Sequence, residues 1–173
     1  KSFFSNGMIL APALKNLIEG LTPGIQATNE PKHVACGAPD FVLTKPGGGE
    51  TLILGYIETK DVGVGLEQVE RSEQLKRYLS GLRNLILTDY LEFRWYVDGE
   101  LRRTARLGAW NGSKLSKQKD GAAGVESLLL DFLAHTPQPV NTPGELARRL
   151  ARLAHLIRDS VFQAFQQNQA SQN

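Results

Sequence analysis

The 173-residue sequence contains a single cysteine, Cys36, and a single methionine, Met8. One thiol excludes an internal disulfide framework and a zinc site built from several cysteines, and it suits a reducing compartment. No apolar run approaches the ~20 residues needed to cross a bilayer. A signal peptide is not expected, because Phe3-Phe4 and Met8-Ile9-Leu10 are separated by Ser5-Asn6-Gly7, whereas an apolar signal core runs unbroken for about 7–15 residues. The three histidines, His33, His135 and His155, are scattered with no metal-ligand spacing. The chain does not begin with Met and is expected to be a piece of something longer, located in the cytoplasm.

What is present reads as one globular domain over residues 1–173, with 41% hydrophobic and 22% charged residues. The net charge of +2 hides an asymmetry: residues 1–100 carry 10 basic and 13 acidic side chains, residues 101–173 carry 10 and 5. An acidic front half can host a carboxylate cluster while the back half offers basic surface, which suits a metal site acting on a polyanion.

Periodicity predicts a helix over 11–21, with Leu14, Leu17, Ile18 and Leu21 on one face and Pro12 in its first turn. Strand-like runs at 40–44 and 51–60 flank a glycine-rich hairpin loop at 45–50. A helical pattern over 66–82 places Leu75, Tyr78, Leu79 and Leu82 together, and 84–88 is a short buried-type strand. Asp98-Gly99 between two further strand-like runs is a strong hairpin signal. The lysine-rich stretch 111–124 is expected to be an exposed, mobile loop, with the basic loop as a whole over 109–123. C-terminal helices follow over 124–167. The last begins with a capping box, Thr142-Pro143 and Glu145, and carries an apolar stripe of Leu146, Leu150, Leu153, Ile157, Val161 and Phe165. The order of elements implies an α/β fold with one central mixed sheet flanked by helices.

One constellation carries chemistry. Glu58 and Lys60 point to one face of a strand, whose side-chain period is two. A hairpin centred near Gly48 would set residue 40 opposite residue 56, on that same face, so Asp40, Glu58 and Lys60 should converge within about 5–8 Å. Paired carboxylates repel and resist ionisation; a divalent cation removes that penalty, and magnesium needs only one or two protein carboxylates. The bland alternative is a Glu-x-Lys pair on a solvated strand face and an aspartate in a turn.

Pro39-Asp40 followed by Glu58-Thr59-Lys60 resembles the signature of the PD-(D/E)XK nuclease superfamily, and Gln74 with Tyr78 resembles the Gln-x-x-x-Tyr motif of its RecB-like members. The stretches 37–41, 55–61, 72–78 and 84–90 are similar to nuclease domains fused in front of adenine-specific DNA methyltransferases in restriction-modification proteins. The resemblance covers roughly residues 11–108. It implies a restriction-endonuclease-like core in which Asp40, Glu58 and the Thr59 carbonyl bind Mg²⁺, with Mn²⁺ able to substitute. Lys60 serves the attacking water, and Gln74 and Tyr78 support the site or touch the DNA backbone. Many members also carry an acidic residue on the first helix; here the only acid before Glu30 is Glu19, late in that helix.

Lys76, Arg77, Arg102, Arg103, Arg106, Lys114, Lys117 and Lys119 are either phosphate contacts or solvated surface. Cys36 reads as a small buried residue. Arg148, Arg149 and Arg152 lie along a helix whose stripe packs in the core or on a neighbouring domain. The sequence therefore points to a Mg²⁺-dependent DNA endonuclease domain of a restriction-modification or phage-defence protein. Double-stranded DNA and a fused or associated adenine-specific methyltransferase are the implied partners, and a homodimer is compatible. The alternative is a decayed DNA-binding or domain-positioning module.

Overall fold

The computed structural model describes residues 7–29, 39–47 and 50–135, together with isolated positions between 143 and 161. Helix α1 (Gly7–Leu21) leads into β1 (Gln26–Asn29), β2 (Phe41–Gly47) and β3 (Glu50–Thr59). Two helices, α2 (Leu66–Glu70) and α3 (Glu73–Gly81), cross to β4 (Asn84–Thr88), followed by β5 (Glu92–Val97) and β6 (Glu100–Arg106). A two-stranded hairpin, β7 (Gly108–Trp110) and β8 (Leu115–Lys117), precedes α4 (Gly121–Ala134). Strands β1 to β6 lie in sequence order in one six-stranded sheet. The β3–β4 pair is parallel and the other pairs are antiparallel. The protein is α/β with a mixed central sheet between helices, compatible with a restriction-endonuclease-like core.

The sheet separates two apolar clusters. One joins Leu14 and Ile18 of α1 to Phe41, Leu43, Ile57, Ile86 and Phe93 of the sheet and to Val125, Leu128, Leu129 and Phe132 of α4. The other packs Leu66, Leu75 and Tyr78 of the crossover helices on Leu85, Leu87 and Tyr96. Because strand residues alternate between faces, Glu58 lies on the second face, level with Leu87 and Arg94 across the sheet. At about 25 cal/mol per Å², burial of such side chains supplies most of the driving force for folding.

Several elements differ from their sequence expectation for definable reasons. Helix α1 starts at Gly7 and holds Pro12 inside it, so the proline forfeits one backbone hydrogen bond without ending the helix. The 45–50 loop is shorter than expected, because Pro46 and Gly47 pair with Thr51 and Glu50; β1 ends opposite Thr44, so β2 is an edge at Pro46, where a proline is tolerated. The single helix expected over 66–82 is two, divided where the Ser72 hydroxyl accepts from Leu75 N–H at 3.2 Å and caps α3. The stretch 111–120 is exposed but not loop throughout: it contains β8, and α4 begins with buried Gly121, three residues earlier than its expected start at 124. Gly121 makes that start possible, since a Cβ there would lie 2.4 Å from the Arg106 carbonyl oxygen. The described positions between 143 and 161 are helical, with Leu146, Leu150, Ile157 and Val161 exposed. Cys36, His33, Thr142, Glu145, Arg148, Arg149, Arg152, Leu153, His155 and Phe165 lie outside the described residues.

Candidate active site

The β2–β3 hairpin brings the expected trio together, in a different register. Phe41 pairs with Ile57, so Asp40 comes level with Glu58 rather than with residue 56. A bulge between Leu43 and Thr44 supplies one residue of the offset, and closure of the hairpin by Gly47 and Glu50 supplies the other. Asp40 Oδ2 accepts two hydrogen bonds from Thr59, from its N–H and from its Oγ1, both at 2.7 Å. The Lys60 Nζ donates to Glu58 Oε1 at 2.5 Å, and Lys60 N–H bonds the Thr88 carbonyl on parallel β4 at 2.8 Å. Two hydrogen bonds fix one oxygen of Asp40, and the strand end itself is tied to its neighbour.

Glu58 is 4% exposed. Burial pushes its carboxyl pKa up; the bond from Lys60 opposes that, and the negative charge of Asp40 adds to the rise. Its second oxygen, Oε2, is buried and has no hydrogen-bond partner. An unpartnered buried carboxylate oxygen costs on the order of 1–3 kcal/mol or more. This donor set fits magnesium, which takes hard oxygen ligands and retains several waters. Asp40 and Glu58 supply the carboxylates, with the Thr59 carbonyl as the implied third donor. Among the described residues no group of three or more His, Cys, Asp or Glu side chains could hold a metal, so the candidate centre has only two side-chain donors.

On α3, Gln74 Nε2 donates to the Tyr78 hydroxyl at 3.0 Å, as expected for residues four apart on a helix. Tyr78 is 3% exposed. Desolvation pushes its phenol up to about 12; the bond from Gln74 opposes the rise, and the charges of Glu58 and Asp40 add to it. Tyr78 therefore remains a protonated donor at neutral pH. Glu19 is occupied elsewhere. It takes Lys15 Nζ at 2.6 Å and Ala27 N–H at 2.9 Å, tying α1 to β1.

The structure adds residues the sequence reading did not select. Tyr90, two residues beyond β4, has a left-handed φ of 69°; burial pushes its phenol pKa up, the neighbouring Thr59 side chain opposes the rise, and the charges of Asp40 and Asp61 add to it. Asp89 accepts from the N–H groups of Gly63, Leu91 and Glu92 at 3.2, 3.0 and 2.7 Å, holding the 61–65 loop beside the end of β4. Arg94 is buried within three carboxylates, Glu67, Glu92 and Glu70, at 2.5, 2.6 and 2.8 Å. Burial alone would lower its pKa, but the bonds to Glu70, Glu92 and Glu67 outweigh this and raise it. The Tyr96 hydroxyl also bonds Glu70. A cleft of about 180 Å³ lies between the 63–67 segment, Asp89 and Trp110. The Asp-Tyr dipeptide after a buried strand was the only sequence trace of this corner.

The basic candidates divide by environment. Lys76 is exposed and pairs with Glu73 at 2.8 Å, and Arg77 is half-buried on the same helix. Arg102, Lys114 and Lys117 are exposed. Arg103 instead reaches α4, bonding Asp131 at 2.6 Å and Ser127 at 3.1 Å. Arg106 bonds Glu92 at 2.8 Å. The latter two arginines are engaged in holding the fold together.

No protein-family model matches the chain, and no curated protein matches it. Among solved structures it is similar to a DrdV–DNA complex determined by cryo-EM, with a TM-score of 0.55 and 20% identity over 77% of this chain. The likeness is one of fold. The chain spans 12% of the length of that DrdV chain. No helix among the described residues is long and apolar enough to cross a membrane.

Proposed function

We propose that this chain is a Mg²⁺-dependent DNA endonuclease domain that hydrolyses phosphodiester bonds. The observation that carries the reading is the buried, unpartnered Oε2 of Glu58 beside Asp40, with the Lys60 ammonium on the other Glu58 oxygen. Asp40, Glu58 and the Thr59 carbonyl would hold the cation. The chemistry a magnesium ion supplies in such a site is polarisation of a phosphoryl oxygen and a lowered pKa for bound water. Lys60 has three N–H donors and gives one to Glu58. The other two can orient the attacking water and offset charge on the phosphoryl oxygens. The protonated Tyr78, held by Gln74, donates from the crossover helix. Lys76, Arg77, Arg102, Lys114 and Lys117 are the cations proposed to meet duplex phosphates.

On the same reading the chain is the nuclease part of a restriction-modification or phage-defence protein that also contains an adenine-specific DNA methyltransferase. Its likeness in fold to a small fraction of a DNA-bound chain supports the DNA-directed part of that view. The test is plasmid cleavage with Mg²⁺ or Mn²⁺ by the wild type, Asp40→Ala and Lys60→Ala, with circular dichroism confirming the fold. Cleavage confined to the wild type is expected; variants that still cut overturn the assignment. Salt-sensitive DNA binding with no metal-dependent turnover in the wild type would identify a decayed module instead, the reading to which the engagement of Glu19 by Lys15 and Ala27 lends weight.

A further inference from the structure

The segment that follows β3 is gripped at both ends by two consecutive residues, Thr88 at the end of β4 and Asp89 after it. Lys60 N–H bonds the Thr88 carbonyl at 2.8 Å. Three residues on, Gly63 N–H donates to Asp89 Oδ2 at 3.2 Å. Between these two points the chain turns. Val64 N–H bonds the Asp61 carbonyl at 3.1 Å, and Gly63 takes a φ of 85°, the left-handed value that glycine supplies in such a turn. Asp89 is 7% exposed, and its Oδ1 is seated on the N–H groups of Leu91 and Glu92 at 3.0 and 2.7 Å. The Trp110 indole also closes on Gly63: a Cβ there would lie 2.8 Å from Trp110 Cδ1.

A lysine ammonium sits at the end of a flexible stem, so its aim depends on where the stem is rooted. Lys60 is the first residue after β3, with the ladder on one side of it and the turn on the other. We propose that Asp89 is a positioning residue for Lys60: by holding Gly63 N–H it fixes the 61–64 turn against the end of β4. The root of the Lys60 side chain is thereby fixed, and its ammonium stays on Glu58 Oε1 with its other N–H donors beside the carboxylate pair. The inference rests on the nuclease reading above, in which Lys60 serves the attacking water. The cation-binding pair does not depend on the turn, since Glu58 is held in the ladder to β4 and Asp40 by Thr59. Loss of Asp89 should therefore act on rate and spare metal affinity.

The test compares the wild type, Asp89→Asn and Gly63→Ala by single-turnover plasmid cleavage at saturating Mg²⁺, Mn²⁺ titration calorimetry and thermal melts. In Asp89→Asn the side-chain oxygen still accepts from Leu91 and Glu92 N–H, but the amide NH₂ meets Gly63 N–H donor to donor. Cleavage is expected to slow about 10- to 100-fold, the effect of a small misplacement caused from outside the chemistry, with Mn²⁺ affinity unchanged. Gly63→Ala disturbs the same turn without touching Asp89, through its left-handed φ and its contact with Trp110, and should show the same split. Unchanged cleavage in Asp89→Asn overturns the inference and leaves the nuclease reading standing. So does Mn²⁺ affinity that falls in step with rate, because the turn would then hold the whole site rather than the lysine. Should Asp89→Asn fail to fold, Gly63→Ala decides by the same two readouts. A wild type that binds Mn²⁺ and does not cleave overturns both readings.

Discussion

Glu58 is the residue where stability and the proposed cation site oppose each other. Its carboxyl pKa is raised by burial, with Lys60 opposing and Asp40 adding. A folded-state pKa above the unfolded one means that the native state binds more protons between the two values. The contribution of Glu58 to stability is then complete below the ordinary carboxylate range and is lost as pH rises through its elevated folded value. The cation-free protein bears more of that loss the higher the pH. Glu58→Gln is therefore expected to raise the melting temperature at pH 7 without divalent cation, by about 2–4 °C for each kcal/mol recovered, and to flatten the pH dependence above pH 5. Saturating Mg²⁺ should reverse the order: at 100 times its dissociation constant it adds about 2.7 kcal/mol to the wild type and little to the variant. Thermal melts of both proteins from pH 5 to 8, with and without Mg²⁺, check both statements. Asp40, Glu58 and Lys60 were legible in the sequence because carboxylates and a lysine at strand spacing can be counted. The orphaned oxygen and the arrival of Tyr90 were not, since both depend on what other strands place alongside.

Among the elements, α2 is held to the sheet chiefly by polar side chains of β5. Arg94 of β5 is clamped by Glu67 and Glu70 of α2 and by Glu92 of its own strand. A five-residue helix has little stability of its own, and this cage docks it on the sheet just before the helix that carries Gln74 and Tyr78. Arg94→Met leaves three carboxylates facing an apolar side chain and is expected to cost about 3–5 kcal/mol, read by urea denaturation at pH 7. Hydrogen exchange should rise first in 66–70. How far such elements could be read in advance depended on where their determinants lie. The Asp98-Gly99 turn and the buried 84–88 strand appear as expected, because local residues specify them; both turn residues have positive φ, 50° and 87°. The bulge at Leu43–Thr44, the pairing through Pro46 and the β7–β8 hairpin were hidden, because each is settled by a neighbouring strand. Gly108 illustrates this: a Cβ there would come 2.3 Å from the Ser116 carbonyl oxygen, a constraint visible only once β8 is in place.

At the scale of the whole molecule, the basic excess of residues 101–173 is not all available to a polyanion. Arg103 and Arg106 hold α4 and β5 to β6 through Asp131 and Glu92, whereas Lys114 and Lys117 project from the exposed hairpin. If the hairpin meets duplex phosphates, Lys114→Ala with Lys117→Ala should reduce the slope of log affinity against log salt by about 1.8, from ~0.9 per contact. Arg103→Ala should leave that slope unchanged and lower the melting temperature instead. Fluorescence anisotropy with a DNA duplex between 50 and 200 mM salt separates the two.

Among the described residues the sheet ends in β1 on one side and β6 on the other, and the two edges differ. At one, the described part of β1 has four residues, a short rail for a stranger's strand to run along. At the other, β6 exposes Glu100, Arg102 and Arg106 and is thrown out of step with β5 by a bulge between Trp95 and Tyr96. Charge and twist at a sheet edge discourage a second chain from adding itself to the ladder. The charges along β6 thus disfavour strand addition at that edge, whether or not a phosphate ever reaches them.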